Sequence, residues 1–563
     1  MKPIWSQTET QGTQTSAQVN SPLDQYSALV NRLVLLVVVL CCAWIFSVPL
    51  RSHGSLLGFA QDDLYYYLKA AQNLASGHGS AFDGTTLTNG YHPLYFLMWT
   101  CASFFVHSLR GIFRLLWVLD VVSAVTIFLA ARRIFRRISA NAVLSNAFAV
   151  IVMAPCIATI SFQMEVTLAL PFGFAFLATG FVPPELYTSR RCALLGLLGA
   201  LTMLARLDAG IIVCLFLLGL LIVRAMRSVL TVPNIAAFSL TSLPPLCIYF
   251  FLNVHYFHEW LPISGSAKQL RHGWKPDVTQ LRLSFAGFSL VFLAILIVGC
   301  FAALRMRKRL RPQEQTLCIA ALGMPITFYT LEIFVSVWKL WGWYMYALRF
   351  SLLCCAALAL IGLCGYAAQG KWPLLGVAQQ ERCAWVLLVV ALIILTRTHY
   401  RLDGVMFKVA EQATQLNTFA ATHPGRYAMG DRAGMFGYLS ALPLIQTEGL
   451  MMDRGYLQHI RREDDLVTTL ARYHVDYYVQ FVFDNDLRER VQGNCLRAQE
   501  PSQAGKDAMR MRSTLCSAPV AVIPGRDGTD FVYRISQQFQ ARATSSDWQA
   551  PSATWDRPDT ESY

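Results

Sequence analysis

Gln61-Asp62-Asp63-Leu64-Tyr65-Tyr66-Tyr67 follows the first long apolar segment of the chain, which runs from about Leu33 to Pro49. Two adjacent carboxylates beside lipid are costly to desolvate, and such residues persist where chemistry or ion binding needs them. A run of further apolar segments comes after the pair. The placement points to a membrane-embedded enzyme whose active site opens on one face of the bilayer.

The rest of the chain agrees with a membrane setting. Of 563 residues, 55% are hydrophobic and 14% charged, and the mean hydropathy is +0.41. A soluble chain carries about a quarter charged residues. The net charge of +13 could suggest nucleic acid. The Arg clusters sit at the ends of apolar segments, so the excess reads as topology and no nucleic-acid partner is expected. Most of the 15 Cys lie within apolar segments and act there as small hydrophobes. Cys495 and Cys516 stand alone in the polar C-terminal part, where a disulfide between them competes with two free thiols. Residues 1–30 read as a disordered cytoplasmic tail, too polar for a signal peptide, ahead of an uncleaved anchor.

Arginine clusters set the topology. Arg132, Arg133, Arg136 and Arg137 form one cluster, and Arg190 and Arg191 the next. Arg224 and Arg227 follow, then Arg305, Arg307, Lys308, Arg309 and Arg311. If all are cytoplasmic, two crossings separate each from the next. The expected spans are 32–49, 111–131, 142–161, 166–182, 192–208, 210–226, 235–257, 283–304, 316–337, 345–367 and 383–398, about eleven in all. Counting 93–109 as another would turn Arg132 to Arg137 outward, so it reads as an interfacial helix. The outer loops are then 50–92, Gln163-Met164-Glu165, 258–281 and Trp338 to Tyr344, with the C-terminal part outside as well.

In the first outer loop, residues 62–76 read as a helix that Gly77 stops. Helix capping explains one of the two carboxylates and leaves the other for chemistry. Thr88-Asn89-Gly90-Tyr91-His92-Pro93-Leu94 then turns into the interfacial helix, with His92 at its start. The acidic pair, its Tyr-rich continuation, Gly77-His78-Gly79 and this second motif together resemble the first outer loop of GT-C fold glycosyltransferases. These are membrane enzymes that use polyprenyl-phosphate sugars, such as protein O-mannosyltransferases, aminoarabinose transferases and arabinofuranosyltransferases. Gln163-Met164-Glu165 and Leu204 to Gly210 resemble further elements of that group. Gly434-Met435-Phe436-Gly437-Tyr438 with Thr447-Glu448-Gly449-Leu450 resembles the first strands and turns of its outer domain.

The resemblance implies a multi-pass α-helical GT-C membrane protein with a C-terminal soluble α/β domain. Its transmembrane module spans 31–399 with first outer loop 50–110, its outer domain 400–540, and 541–563 is a disordered tail. It implies a polyprenyl-phosphate sugar donor and a glycan, lipid or protein acceptor, with transfer on the outer face. The departing phosphate needs positive charge, and the acceptor hydroxyl needs a base. Asp62 is the expected base and Asp63 its helper. His92, Arg206, Lys268 and Arg349 are candidates for the donor phosphate. Asp62 with Glu165 could hold a divalent metal, Mg or Mn. Each assignment has a plainer reading: local hydrogen bonding for His92, snorkelling or pairing with Asp208 for Arg206, a helix-end charge for Glu165. The aromatics from Trp338 to Tyr344, just before Arg349, read as an interfacial belt or a stacking surface.

From about residue 400 the chain turns polar. Strands are expected at 426–430, 476–482 and 530–535, with a helix at 463–473, giving a small α/β domain. Gly430, Gly434 and Gly437 do not match the dinucleotide fingerprint, so no nucleotide is expected. A transporter of lipid-linked sugars is the alternative, but transporters tend to place their charges at the bilayer midplane. The outer segments hold no Asn-x-Ser/Thr acceptor, which favours a bacterial inner membrane.

Overall fold

Every expected span falls on a helix over its described residues in the computed structural model. The structure describes residues 22–541 except 274, 277–287, 369–376, 398–403, 493–494 and 526. The expected tail 541–563 lies outside them apart from Ala541, as do residues 1–21. The first helix begins at Pro22, earlier than the expected start at 31. Among the described residues, six helices are long and apolar enough to cross a membrane by length and composition: Ala28–Phe46, Leu109–Ile138, Ala142–Ile160, Val232–Phe257, Pro312–Val335 and Gly342–Cys364. Four shorter apolar helices stand beside them.

Two of these helices start on side-chain caps. Asn141 Oδ1 accepts from Leu144 N at 2.9 Å, and Ser108 Oγ from Gly111 N at 3.1 Å. The Arg136-Arg137 pair lies in the last turn of Leu109–Ile138, where cations meet the helix dipole.

The first loop folds as two helices. The acidic helix, Asp62–Ala75, opens with Asp62 and Asp63 in its first turn and ends before Gly77, which adopts φ +83°. Pro93–Ser103 starts with His92 at its N-cap. Its 11 residues span about 17 Å at 1.5 Å per residue, short of the roughly 30 Å hydrocarbon core, so it is too short to cross a bilayer.

The C-terminal domain is built on a five-stranded sheet of order β2-β1-β3-β8-β7. These are β1 (Tyr427–Met429), β2 (Leu444–Gln446), β3 (Tyr477–Phe483), β7 (Ala521–Pro524) and β8 (Gly528–Arg534). β1 runs parallel to β2 and β3, and β8 antiparallel to β3. β4 (Val491–Gln492), β5 (Cys495–Glu500) and β6 (Met511–Leu515) form a second sheet, closed by a Cys495–Cys516 disulfide. The segment Gly434 to Tyr438, expected among strands and turns, is instead a helix, Ala433–Leu439. Parallel β1 and β2 require a crossover, and this crossover helix supplies it. The helix expected at 463–473 is shorter, Leu466–Arg472, preceded by Arg454–Arg462. Glu463, in the left-handed region, separates the two.

The segments around Lys268, Arg271 and Val337 are stitched to this domain. Val337 N donates to Lys268 O at 2.9 Å, and Gly505 N to Val337 O at 2.6 Å. Single bridges pair Arg271 with Ala508 and Trp338 with Ala504.

Candidate active site

The first turn of the acidic helix aims its two carboxylates in different directions. Successive residues of a helix are about 100° apart, so neighbours do not share a face. Asp62 meets the crossover helix: Oδ2 accepts from Gly434 N at 2.8 Å and Oδ1 from Met435 N at 2.7 Å. Burial pushes Asp62 up to about 6, against the pull of those two N–H groups. Asp63 accepts no side-chain hydrogen bond among the described residues. Burial and the Asp62 charge push it up to about 7, while Lys268 pulls the other way. As neighbours they titrate as a pair.

Glu165 belongs to a second constellation. It follows Gln163, which takes φ +60° in the turn between two spans. Arg206 Nη1 donates to Glu165 Oε1. Arg206 Nε and Nη2 donate to Asp208 at 2.7 and 2.9 Å, and Tyr346 OH reaches Asp208 at 3.0 Å. Tyr344 and Tyr346 flank the guanidinium, with ring centroids 4.5 and 4.8 Å away. Arg206 is therefore a fully buried cation held by two carboxylates and two aromatic faces. His92 Nε2 lies 3.8 Å from Glu165. Burial pushes His92 down to about 4, so at neutral pH it is an uncharged imidazole whose Nδ1 has no hydrogen-bond partner.

Two further expected cations are differently placed. Lys268 ends the short helix Ile263–Lys268 and donates to Tyr344 OH at 2.8 Å. It forms no ion pair among the described residues, and its charge acts on Asp63. Arg349, one turn beyond Tyr346, donates from Nε to Thr159 Oγ1 at 2.9 Å and stacks over the Phe292 ring at 4.3 Å. It is buried, its Nη1 has no partner, and no carboxylate pairs with it among the described residues. An isolated buried guanidinium with an unused donor is costly unless an anion completes it.

The residues thus separate into groups. Asp63 and Lys268 act on each other, and Tyr344 joins Lys268 to Arg206. The pair expected to hold Mg or Mn does not fit a metal. Both oxygens of Asp62 face backbone N–H donors, and Glu165 is bound by Arg206 and faces Tyr67 OH at 3.4 Å. Among the described residues no cluster of three His, Cys, Asp or Glu side chains is arranged to hold an ion.

Sequence reasoning passed over Asp120 and Asp431. Asp120 is fully buried within Leu109–Ile138 and accepts from Gln163 Nε2 at 2.9 Å, tying a span to the Gln163–Glu165 turn. A lone carboxylate inside an apolar run was the available signal. Asp431 follows β1 and accepts from Gln503 Nε2 at 2.9 Å, and its charge reaches both Asp62 and Asp63.

The sequence matches no protein-family model and no curated protein. Solved structures do resemble the fold. ArnT from Cupriavidus metallidurans bound to undecaprenyl phosphate aligns with a TM-score of 0.50 at 12% identity, over 87% of this chain and 98% of that one. The Archaeoglobus fulgidus oligosaccharyltransferase tethered with an acceptor peptide aligns with a TM-score of 0.50 at 12% identity, over 86% of this chain and 74% of that one. At such identities the likeness carries the fold. The multi-pass GT-C architecture expected from the first loop is the architecture found.

Proposed function

We propose that this protein is a membrane glycosyltransferase. It moves a sugar from a polyprenyl-phosphate donor to an acceptor hydroxyl at the outer face of a bacterial inner membrane. The observation that carries the reading is the acidic pair on the loop helix, with the Lys268 charge acting on Asp63, and Arg349 buried without a counter-ion among the described residues. A carboxylate and unpaired cations are what such a transfer needs. The fold shared with a protein bound to undecaprenyl phosphate and with one tethered to an acceptor peptide supports it.

In the reaction, the acceptor O–H gives its proton to a carboxylate of the pair as its oxygen attacks the anomeric carbon. The bond from that carbon to the phosphate oxygen breaks, and the polyprenyl phosphate leaves as an anion. It needs no proton, only charge and donors. Lys268 and Arg349 take that role. Arg206, neutralised by Glu165 and Asp208, instead holds the outer turns together, and neutral His92 offers a hydrogen bond rather than charge. A single displacement inverts the anomeric centre. The acceptor is a glycan, lipid or protein of the envelope, approached through the C-terminal domain, whose helix Ala433–Leu439 touches the acidic helix.

Mass spectrometry of surface glycans and glycoproteins, with and without the protein, tests the reading. One sugar should disappear from one envelope component when the protein is absent and return with the wild-type chain. An unchanged glycan profile contradicts it.

A further inference from the structure

The two carboxylates of the first loop are not equivalent. Asp62 spends both oxygens on the backbone of the C-terminal domain, at 2.8 and 2.7 Å from Gly434 N and Met435 N. The approach is so close that a Cβ on Gly434 would overlap the Asp62 carbonyl oxygen. At the other end of the same contact, Lys69 Nζ donates to Ser440 O at 2.8 Å, beyond the last turn of the crossover helix. An acid at one end of Ala433–Leu439 and a base at the other match its dipole. Tyr65 packs on Tyr438 at 5.3 Å between them.

Asp63 faces elsewhere. Its carboxylate accepts no hydrogen bond among the described residues, it is half-buried as Asp62 is, and besides Asp62 and Asp431 the charges of Lys268 and Glu165 reach it. The charges that reach Asp62 are those of Asp431 and Arg432 in the C-terminal domain. A carboxylate bound by two N–H donors is a weaker base than one bound by none.

We propose that Asp63 is the proton acceptor of the transfer and that Asp62 is a positioning residue, a clamp holding the C-terminal domain against the acidic helix. This rests on the sugar-transfer reading for the Asp63 half only. The step moves the acceptor hydroxyl proton to a carboxylate oxygen of Asp63 as the new glycosidic bond forms and the phosphate departs. The expectation of Asp62 as base is thereby reversed within the pair.

Two measurements on the full-length protein in proteoliposomes test it. The first is hydrogen exchange at the amides of Gly434 and Met435. Asp62→Asn should speed exchange at both at least tenfold, and Asp63→Asn should leave both unchanged. Unchanged exchange in Asp62→Asn overturns the clamp, whatever the reaction is. The second uses undecaprenyl-phosphate mannose, glucose and arabinose as donors and reads release of undecaprenyl phosphate. Azide serves as a replacement acceptor that carries no proton to remove. Asp63→Asn should lose transfer to hydroxyl acceptors about a hundredfold or more yet keep azide-dependent release within about tenfold of wild type. Asp62→Asn should lower both together and retain an acid limb in its pH profile, and Asp63→Glu should recover hydroxyl transfer. Azide rescue of Asp62→Asn but not of Asp63→Asn overturns the assignment. If the wild-type protein turns over none of the three donors, the sugar-transfer reading and the base role fail together, while the exchange data still decide the clamp.

Discussion

Arg206 and Arg349 show how two buried arginines in one membrane domain differ in what removing their surroundings costs. Arg206 lies between Glu165 and Asp208. Removing one member of a buried charged set leaves the rest uncompensated, at about 3–5 kcal/mol. Glu165→Ala should therefore lower the thermal midpoint in detergent markedly, and an unchanged midpoint would contradict the pairing. Arg349 has no carboxylate partner among the described residues, so Arg349→Met removes an uncompensated charge. It should leave the midpoint level or higher while weakening undecaprenyl phosphate binding about tenfold or more, measured by titration. A fall in stability with unchanged binding would make Arg349 structural. Arg206 was legible near a span end, Lys268 in a loop and Arg349 just beyond the aromatics at Trp338 to Tyr344. Which were already neutralised was not, because Glu165 and Arg206 meet across 41 positions of sequence. The pH dependence follows from the acids. Asp62 is raised to about 6, and Asp63, Glu500 and Asp530 to about 7, in each case chiefly by burial. The folded state keeps protons that the unfolded chain releases from about pH 4 upward, so these groups cost stability as pH rises through 4 to 7. The unliganded protein should melt at a higher temperature at pH 5 than at pH 8; the reverse order would mean that these carboxyls are better solvated than the packing indicates.

At the scale of elements, the acidic helix was readable from its spacing and its glycine stop, and the structure ends it at Ala75, next to the expected 76. The crossover helix was not readable. Ala433-Gly434-Met435-Phe436-Gly437-Tyr438-Leu439 is apolar on nearly every side and carries two glycines, and its resemblance to the GT-C outer domain implied strands and turns. Its glycines serve contacts instead. Phe82 fills the space over Gly437, and Asp62 the space over Gly434. A second seam closes at Gly90, where a Cβ would overlap the carbonyl oxygen of Leu450. Gly90→Ala and Gly434→Ala each force backbone apart. Both should increase limited proteolysis between the C-terminal domain and the first loop; wild-type resistance in both would show that the seam gives way easily. The disulfide joins residues 21 positions apart, a loop for which chain entropy gives about 3 kcal/mol. Cys495→Ser with Cys516→Ser should lower the stability of the C-terminal domain by that order, read by thermal unfolding, and an unaltered transition would make the bond dispensable.

For the whole molecule, the apolar lengths carried most of the helical architecture, because the bilayer constrains helix length more tightly than water does. The site needed three dimensions. Its members come from the first loop, the Gln163–Glu165 turn, the Arg206–Asp208 turn, the Lys268 loop, the start of the helix at Tyr346 and the C-terminal domain. Only the assembled fold brings the free carboxylate of Asp63 and the unpaired cation of Lys268 within each other's field. The most direct measurement follows from that meeting. Proteoliposomes carrying labelled undecaprenyl-phosphate sugars and an envelope extract as acceptor should form labelled product and free undecaprenyl phosphate in equal amounts, and Asp63→Asn should abolish both. Label that crosses the bilayer still attached to undecaprenyl phosphate, at the same rate with either protein, would contradict the account and describe a transporter.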